Sequence, residues 1–298
     1  MGEASGIGSA PPAPTLERHD SPLGSWRLVR WRPPGLEGLV EEIWYFEGTL
    51  TRLRERHYPN GRMDLTIHFG PRYRRVHEAD SHTFSKVSVS GLFLAPDVIE
   101  APPGGSVVLG IVLHPPGALR LLGTPLEGLT GRDEDLTSIV PSAVVQELVD
   151  RCQEVSSPVE RVRQAERWLR RRLAESRRTR TPPAAVLRAV DEIRRQGGAV
   201  AVGELGRESG WSRSRFTTVF REEVGVPPKT LARIHRFRRA LRGVTQGQLR
   251  LSDVALDAGY YDQAHFNRDF REFAKVTPSQ YRARLRFPKS PSTAEPTR

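Results

Sequence analysis

Met63, Leu65, Ile67 and Phe69 alternate with Asp64, Thr66 and His68, the period-two pattern of a half-buried strand. Ile43–Phe46, Lys86–Val89 and Val107–Leu113 are further short strand candidates. Turn signals separate them: Pro59-Asn60-Gly61, Gly70-Pro71, Ala95-Pro96-Asp97 and Pro102-Pro103-Gly104-Gly105. Short strands at this spacing predict a small β-barrel or sandwich. The period then changes. Ser142–Cys152 and Pro158–Leu173 read as helices. In the second, Val159, Val162, Ala165, Trp168, Leu169 and Leu173 share one face while arginines fill the other, which suggests an interdomain or dimer contact. The polar, basic stretch Ser176–Pro183 marks a domain boundary, and beyond it the pattern is helical throughout. The predicted fold class is α+β, a β-barrel or sandwich followed by an all-α domain. The expected divisions are a flexible tail over 1–22, a β-rich domain over 23–140 and a helical linker over 141–180. An all-helical domain over 181–287 and a second flexible tail over 288–298 complete the chain.

The helical region contains an internal repeat. Phe216-Thr217-Thr218-Val219-Phe220-Arg221-Glu222 aligns with Phe266-Asn267-Arg268-Asp269-Phe270-Arg271-Glu272 at an offset of 50. The match persists through Val226/Val276 and Pro228/Pro278. Upstream, Gly210-Trp211 matches Gly259-Tyr260 at an offset of 49. In each copy a short helix (Val202–Ser209 or Leu251–Ala258) ends at a glycine suited to a left-handed C′ position. A polar cap follows, Ser212 or Asp262, and then a helix that buries two phenylalanines four residues apart. Two helices joined by a tight glycine turn form a helix-turn-helix, whose second helix enters the DNA major groove. Leu231, Ile234, Phe237, Ala240 and Leu241 outline a continuous helix that would hold the copies rigidly.

Charge supports this reading. The 298 residues carry 46 Lys+Arg, 35 Asp+Glu and a formal charge of +11. Residues 181–298 hold 22 basic and 12 acidic side chains, so +10 of that excess lies in the last 118 residues. A basic domain behind a nearly neutral one suggests a polyanion partner for the basic part alone, with a solvated basic face as the alternative. The single cysteine, Cys152, excludes an intrachain disulfide and a CxxC metal cluster. No G-x-S-x-G elbow or glycine-rich phosphate loop is present. The N-terminus reads as neither signal peptide nor membrane span, so a cytoplasmic protein without membrane contact is expected.

Residues 184–286 resemble the DNA-binding domain of the AraC/XylS family of bacterial transcription regulators. The resemblance rests on Leu251-Ser252-Asp253-Val254-Ala255, Gly259-Tyr260-Tyr261-Asp262-Gln263-Ala264-His265-Phe266-Asn267-Arg268-Asp269-Phe270 and Thr277-Pro278-Ser279-Gln280-Tyr281-Arg282. The linker helix adds Arg236-Phe237 and Ala240. Two positions depart from the pattern: Gly206 stands where the first copy usually has Ala, and Lys275 where a glycine usually ends the second copy. The resemblance implies two helix-turn-helix units reading successive major grooves of double-stranded DNA.

In the first unit the base-reading candidates are Arg213, Ser214, Thr217 and Thr218, suited to thymine methyls or adaptable hydrogen bonds. In the second they are Gln263, His265, Asn267 and Arg268. Gln or Asn pairs bidentately with adenine and Arg with guanine, so sharper discrimination is expected there. His265 is equally read as a packing residue beside the cap. Arg221, Lys229, Arg271 and Arg282 are the phosphate candidates.

Residues 26–122 resemble the uncharacterised, cupin-like domain that often precedes this type of DNA-binding domain. The carriers are His57-Tyr58-Pro59-Asn60-Gly61-Arg62-Met63-Asp64-Leu65 and Gly110-Ile111-Val112-Leu113-His114-Pro115-Pro116-Gly117-Ala118, followed by Leu121-Leu122-Gly123, with Pro116 standing where the second motif more often has glycine. Trp44, Phe46, Tyr58, His68 and Phe93 are candidates for a small-molecule pocket, with aromatic core filling as the alternative. His57, His68, His77, His82 and His114 raise the idea of a metal enzyme, but no H-x-H or H-E-x-x-H cluster exists, so no metal and no cofactor is expected. The leading reading is a sequence-specific transcription regulator, an activator working with RNA polymerase, with an effector-sensing or dimerising N-terminal domain. The competing readings are a nonspecific nucleic-acid binder and a cupin-type metal enzyme with a DNA-binding tail.

Overall fold

The computed structural model describes residues 13–76, 81–176, 182–247 and 249–285. The strands are β1 (Thr15–Ser21), β2 (Gly24–Trp31), β3 (Val40–Leu50), β4 (Arg54–His57), β5 (Met63–His68) and β6 (Arg74–Val76), then β7 (Ser81–Thr83), β8 (Val87–Ser90), β9 (Asp97–Glu100), β10 (Ser106–Leu113) and β11 (Asp133–Asp135). They form two antiparallel sheets, of order β1-β2-β3-β10-β5-β8-β11 and β4-β9-β6-β7. Helices α1 (Pro115–Leu122), α2 (Ser142–Gln153) and α3 (Pro158–Ser176) cover the larger sheet. After them come α4 (Ala184–Arg195), α5 (Val202–Glu208), α6 (Arg213–Val224), α7 (Pro228–Gln246), α8 (Leu251–Asp257), α9 (Gln263–Ala274) and α10 (Pro278–Arg284).

Alternation on the central strands sorts side chains to two faces. Met63, Leu65 and Ile67 of β5, with Leu109, Ile111 and Leu113 of β10, are buried beneath the helices. Asp64, Thr66 and His68, with Val108 and Val112, face a cavity walled on its far side by the smaller sheet. β10 is covered on both faces, which is why its sequence is a continuous apolar run rather than an alternating one.

Three expectations change. Residues 15–21, read as tail, form edge strand β1 paired along its length with β2. Their polar sequence and mostly exposed side chains gave no burial signal. Residues 141–176 are not a linker: Val162, Ala165, Trp168, Leu169 and Leu173 of α3 are buried against α1, α2 and the sheet. The stripe on α3 is therefore satisfied within the domain rather than by a second copy. The predicted boundary at 176–183 falls mostly outside the described residues, as do His77 and the segment 288–298.

The core does not stop at the sheet. One continuous apolar cluster runs from the strands through α4 to Phe216, Phe220 and Val224 of α6 and Leu231 of α7. A second cluster holds Ile234, Phe237, Ala240 and Val244 of α7 together with Val254, Phe266, Phe270 and Phe273. The two helical repeats thus belong to different cores.

Candidate DNA-reading helices and an internal cavity

Both repeats fold as the sequence predicts, by the same local chemistry. Gly210 and Gly259 turn with φ of +71° and +82°, which a side chain would oppose. The Ser212 hydroxyl and the Asp262 carboxylate each accept a backbone N–H from the first turn of the helix they cap, from Arg215 and His265 respectively. Helices α6 and α9 are equal in length, at 12 residues. Their inner phenylalanines pair at 5.8 Å (Phe216–Phe220) and 5.5 Å (Phe266–Phe270). Where α6 ends at Gly225, α9 ends at Lys275, which holds φ of +57° despite its side chain. Helix α7 connects the units, and Arg233 on it binds Asp269 at 2.9 Å and also pairs with Glu272, fixing α9.

The outer faces differ. On α6, Arg213, Ser214 and Thr218 are exposed, while the half-buried Thr217 donates its hydroxyl to the Arg213 carbonyl at 2.9 Å. On α9, Gln263 and Arg268 are exposed and Asn267 is half-buried. His265 is also half-buried, its ring edge-on to Tyr260 at 5.1 Å and its Nε2 3.9 Å from Asp269, which matches the packing alternative. Tyr261, 90% exposed in the turn before α9, is a surface aromatic that repeat matching passed over because its aligned neighbour Tyr260 took the buried role.

The four phosphate candidates divide. Lys229 and Arg271 are exposed. Arg221 instead binds Glu127 of the N-terminal domain at 3.0 Å. Arg282 donates to the Leu249 carbonyl at 2.9 Å, tying α10 to the segment before α8. Neither partner could be inferred from a helical pattern, because both come from distant chain segments.

The first unit is also anchored by its backbone. The Leu126 N–H donates to the Glu222 carbonyl at 2.8 Å, and the Thr130 hydroxyl donates to the Gly225 carbonyl at 2.7 Å. The N-terminal domain thus grips the C-terminal end of α6. A second seat lies on α7, where Glu41 pairs with Arg62, with His114 at 3.7 Å and with Arg238 at 3.6 Å. Gly61 rests on α7 so closely that an added Cβ would stand 3.2 Å from His235. Burial, reinforced by the nearby charge of His114, pushes His235 down to about 4.

The cavity between the sheets has a volume of about 240 Å³. Trp44, Phe46, Tyr58, His68 and Phe93, the five pocket candidates, all line it. Tyr45 faces the helices. Strand register arranges the larger sheet's cavity face in rows. Leu28, Phe46, Val108 and His68 form one; Arg30, Trp44, Gly110 and Thr66 the next; Glu42, Val112, Asp64 and Ser90 the third. Gly110 is required here, since a Cβ would stand 2.2 Å from the Trp44 indole. On the opposite wall Arg75 binds Asp97 at 2.9 Å and Asp133 at 2.6 Å beneath the Phe93 ring. Burial pushes His68 down to about 4 and Asp64 up to about 6. Among the described residues no group of three or more His, Cys, Asp or Glu is placed to hold a metal ion. His82 meets Asp133 and His57 meets Glu55, in separate settings.

Comparison with known proteins divides the chain the same way. Residues 205–284 match a helix-turn-helix domain family, and residues 32–135 match a domain of unknown function, DUF6597. An uncharacterised helix-turn-helix transcriptional regulator of Haemophilus influenzae is 30% identical over 81 residues, 27% of each chain. Similar regulators of Staphylococcus aureus are 32% identical over 83 residues, 28% of this chain and 11% of theirs. Thus this chain spans only 27% and 11% of these relatives' lengths. Among solved structures, fatty-acid-bound ToxT of Vibrio cholerae aligns with 78% of this chain and 91% of its own at 12% identity, with a TM-score of 0.42. The helical repeats at residues 205–284 therefore match a helix-turn-helix domain, carried behind a β-rich region that matches a domain of unknown function.

Proposed function

We propose that the protein is a sequence-specific transcription regulator that reads two successive major grooves of double-stranded DNA with α6 and α9. The observation that carries this reading is the pair of equally capped, equally long helices held on one rigid connector, α7, in the part of the chain that bears the positive charge. Their outer faces present unlike side chains, so one chain would recognise a non-palindromic site. Arg213, Ser214 and Thr218 read one block, Gln263, Asn267 and Arg268 the other, and Lys229 and Arg271 set register on phosphates. The cavity is the effector site. Its wall includes Tyr58 and Arg62, and Tyr58 packs on Phe237 of α7 at 6.5 Å and Tyr281 of α10 at 5.5 Å. Arg62 reaches Arg238 of α7 through Glu41. Occupancy of the cavity thereby adjusts how the DNA-binding helices are held, and with it the access of RNA polymerase to a promoter.

In vitro selection of DNA sites by the full chain tests the reading. It should return two different blocks about 10 bp apart, centre to centre. Equal affinity for all duplexes, with only the salt dependence of phosphate contacts, would favour the nonspecific alternative.

A further inference from the structure

The cavity has a chemistry of its own. Most of its charges are already matched: Arg75 by Asp97 and Asp133, and Arg62 by Glu41. Glu42 and Asp64 are different. Among the described residues neither makes a hydrogen bond or a close ion pair; the nearest compensating charges are Arg30, in the adjoining row, for Glu42 and His57 for Asp64. Both belong to the same register row, one on each side of Val112, so their strands lie about 10 Å apart and one group can stand between the two carboxylates. A carboxylate that accepts no hydrogen bond in a walled cavity is costly to ionise, and a second on the same face raises that cost. A bound cation would remove it. The adjoining row supplies the Trp44 indole, laid over the Gly110 backbone, and the row beyond supplies Phe46 and Val108. An aromatic face beside carboxylates is the setting in which an ammonium group is held by both charge and π electrons. The volume, below the roughly 300–1,000 Å³ usual for drug-sized ligands, restricts the body of the ligand to about one ring.

We infer that the cavity takes a small organic cation, a monoamine on a compact apolar body, with its ammonium between Asp64 and Glu42 and its body against Trp44 and Phe46. This rests on the reading of the cavity as the effector site and names the ligand class for it. The loop 58–62, which leaves β4 and enters β5 just before Asp64, is both cavity wall and seat on α7. It is the physical link from the ammonium site to the DNA-binding helices.

Calorimetric titration of the full chain at pH 8 tests the inference, using benzylamine, phenethylamine and tryptamine against benzyl alcohol, phenylacetate and glucose. At least one amine should bind tenfold or more tighter than its neutral and acidic analogues, and binding should weaken as pH falls through about 6, where Asp64, facing His57, Glu42, Asp133 and Glu41, takes up a proton. Asp64→Asn should abolish amine binding while melting at a higher temperature than the parent, because it removes a buried charge. That pairing separates lost recognition from lost folding. Tighter binding of phenylacetate or glucose, amine binding indifferent to Asp64→Asn, or no amine binding at all would overturn the cation assignment. DNA affinity measured with and without the bound amine is the separate readout. An unchanged DNA affinity with an amine seated at Asp64 would remove the effector role and leave the binding site standing.

Discussion

The two helix-turn-helix units share a plan and differ in what holds them. Unit 1 (α5–α6) buries Phe216, Phe220 and Val224 in the core that begins under the β-sheet, and the N-terminal domain grips its end through Glu127, Leu126 and Thr130. Unit 2 (α8–α9) has its own core on α7 and the Arg233–Asp269 pair. Duplicated sequence therefore gives one second helix, α6, attached to the cavity-bearing domain and one, α9, attached to the connector. On the proposed reading, a change in the N-terminal domain would act on unit 1 directly and on unit 2 through α7 and α10.

The largest test of that contrast is in the cores. Phe220→Ala and Phe270→Ala should each cost about 3–5 kcal/mol. Hydrogen exchange should show Phe270→Ala loosening α8, α9 and α10 while the β-sheet stays protected. Phe220→Ala should loosen α6 together with α1 and the segment 126–130. Equal loss of protection across the chain for both variants would erase the distinction.

Acid should separate the units next. His235 sits under the N-terminal domain, facing His114, Glu41, Arg194 and Arg242, and stays neutral down to about 4. The unfolded chain takes up that proton near 6.5, so this residue's contribution to stability is complete above 6.5 and is lost as pH falls toward 4. At pH 5 the loss is on the order of 2 kcal/mol. The drop in melting temperature between pH 7.5 and 5 should therefore be smaller in His235→Gln than in the parent, and an identical drop would contradict the account.

On DNA, Arg268→Ala should cost about 1–3 kcal/mol and relax one base position in the block read by α9, leaving the other block unchanged in a repeated selection. Equal weakening on every sequence would make Arg268 a phosphate contact. Smaller still are the two departures from the repeat pattern. Lys275→Gly removes a side chain from φ of +57° and should stabilise unit 2 by about 1 kcal/mol in chemical denaturation. Gly206→Ala adds a Cβ at an ordinary 3.5 Å from Phe216 and should stabilise unit 1 by about 0.5–1 kcal/mol. A destabilised Gly206→Ala would show that α5 is packed more tightly than this distance allows.

These contrasts also show which parts of the molecule its sequence could disclose. Caps, glycine turns and phenylalanine pairs are local, so Ser212, Asp262, Gly210 and Gly259 were readable and the helices around them fold as expected. The alternation of β5 is equally clear, and the aromatic side chains that line the cavity stand out by residue type. Pattern alone could not say that the polar face of β5 looks into a cavity rather than solvent, because a second sheet supplies that wall from strands of only three or four residues. Arg221 and Arg282 are phosphate candidates by residue type and position, and sequence does not disclose that each also has an intramolecular partner. Their partners, Glu127 and the Leu249 carbonyl, are set by tertiary structure. The pairing of Glu42 with Asp64 needs strand register, which joins residues 22 positions apart into one row.

On the proposed reading, one chain places two unlike helices in successive grooves. Hydroxyl-radical footprinting of the full chain on its selected site tests this most directly. The account predicts two protected patches about 10 bp apart on one face of the duplex, with Arg268→Ala weakening only one of them. A single protected patch, or uniform protection along the fragment, would contradict it.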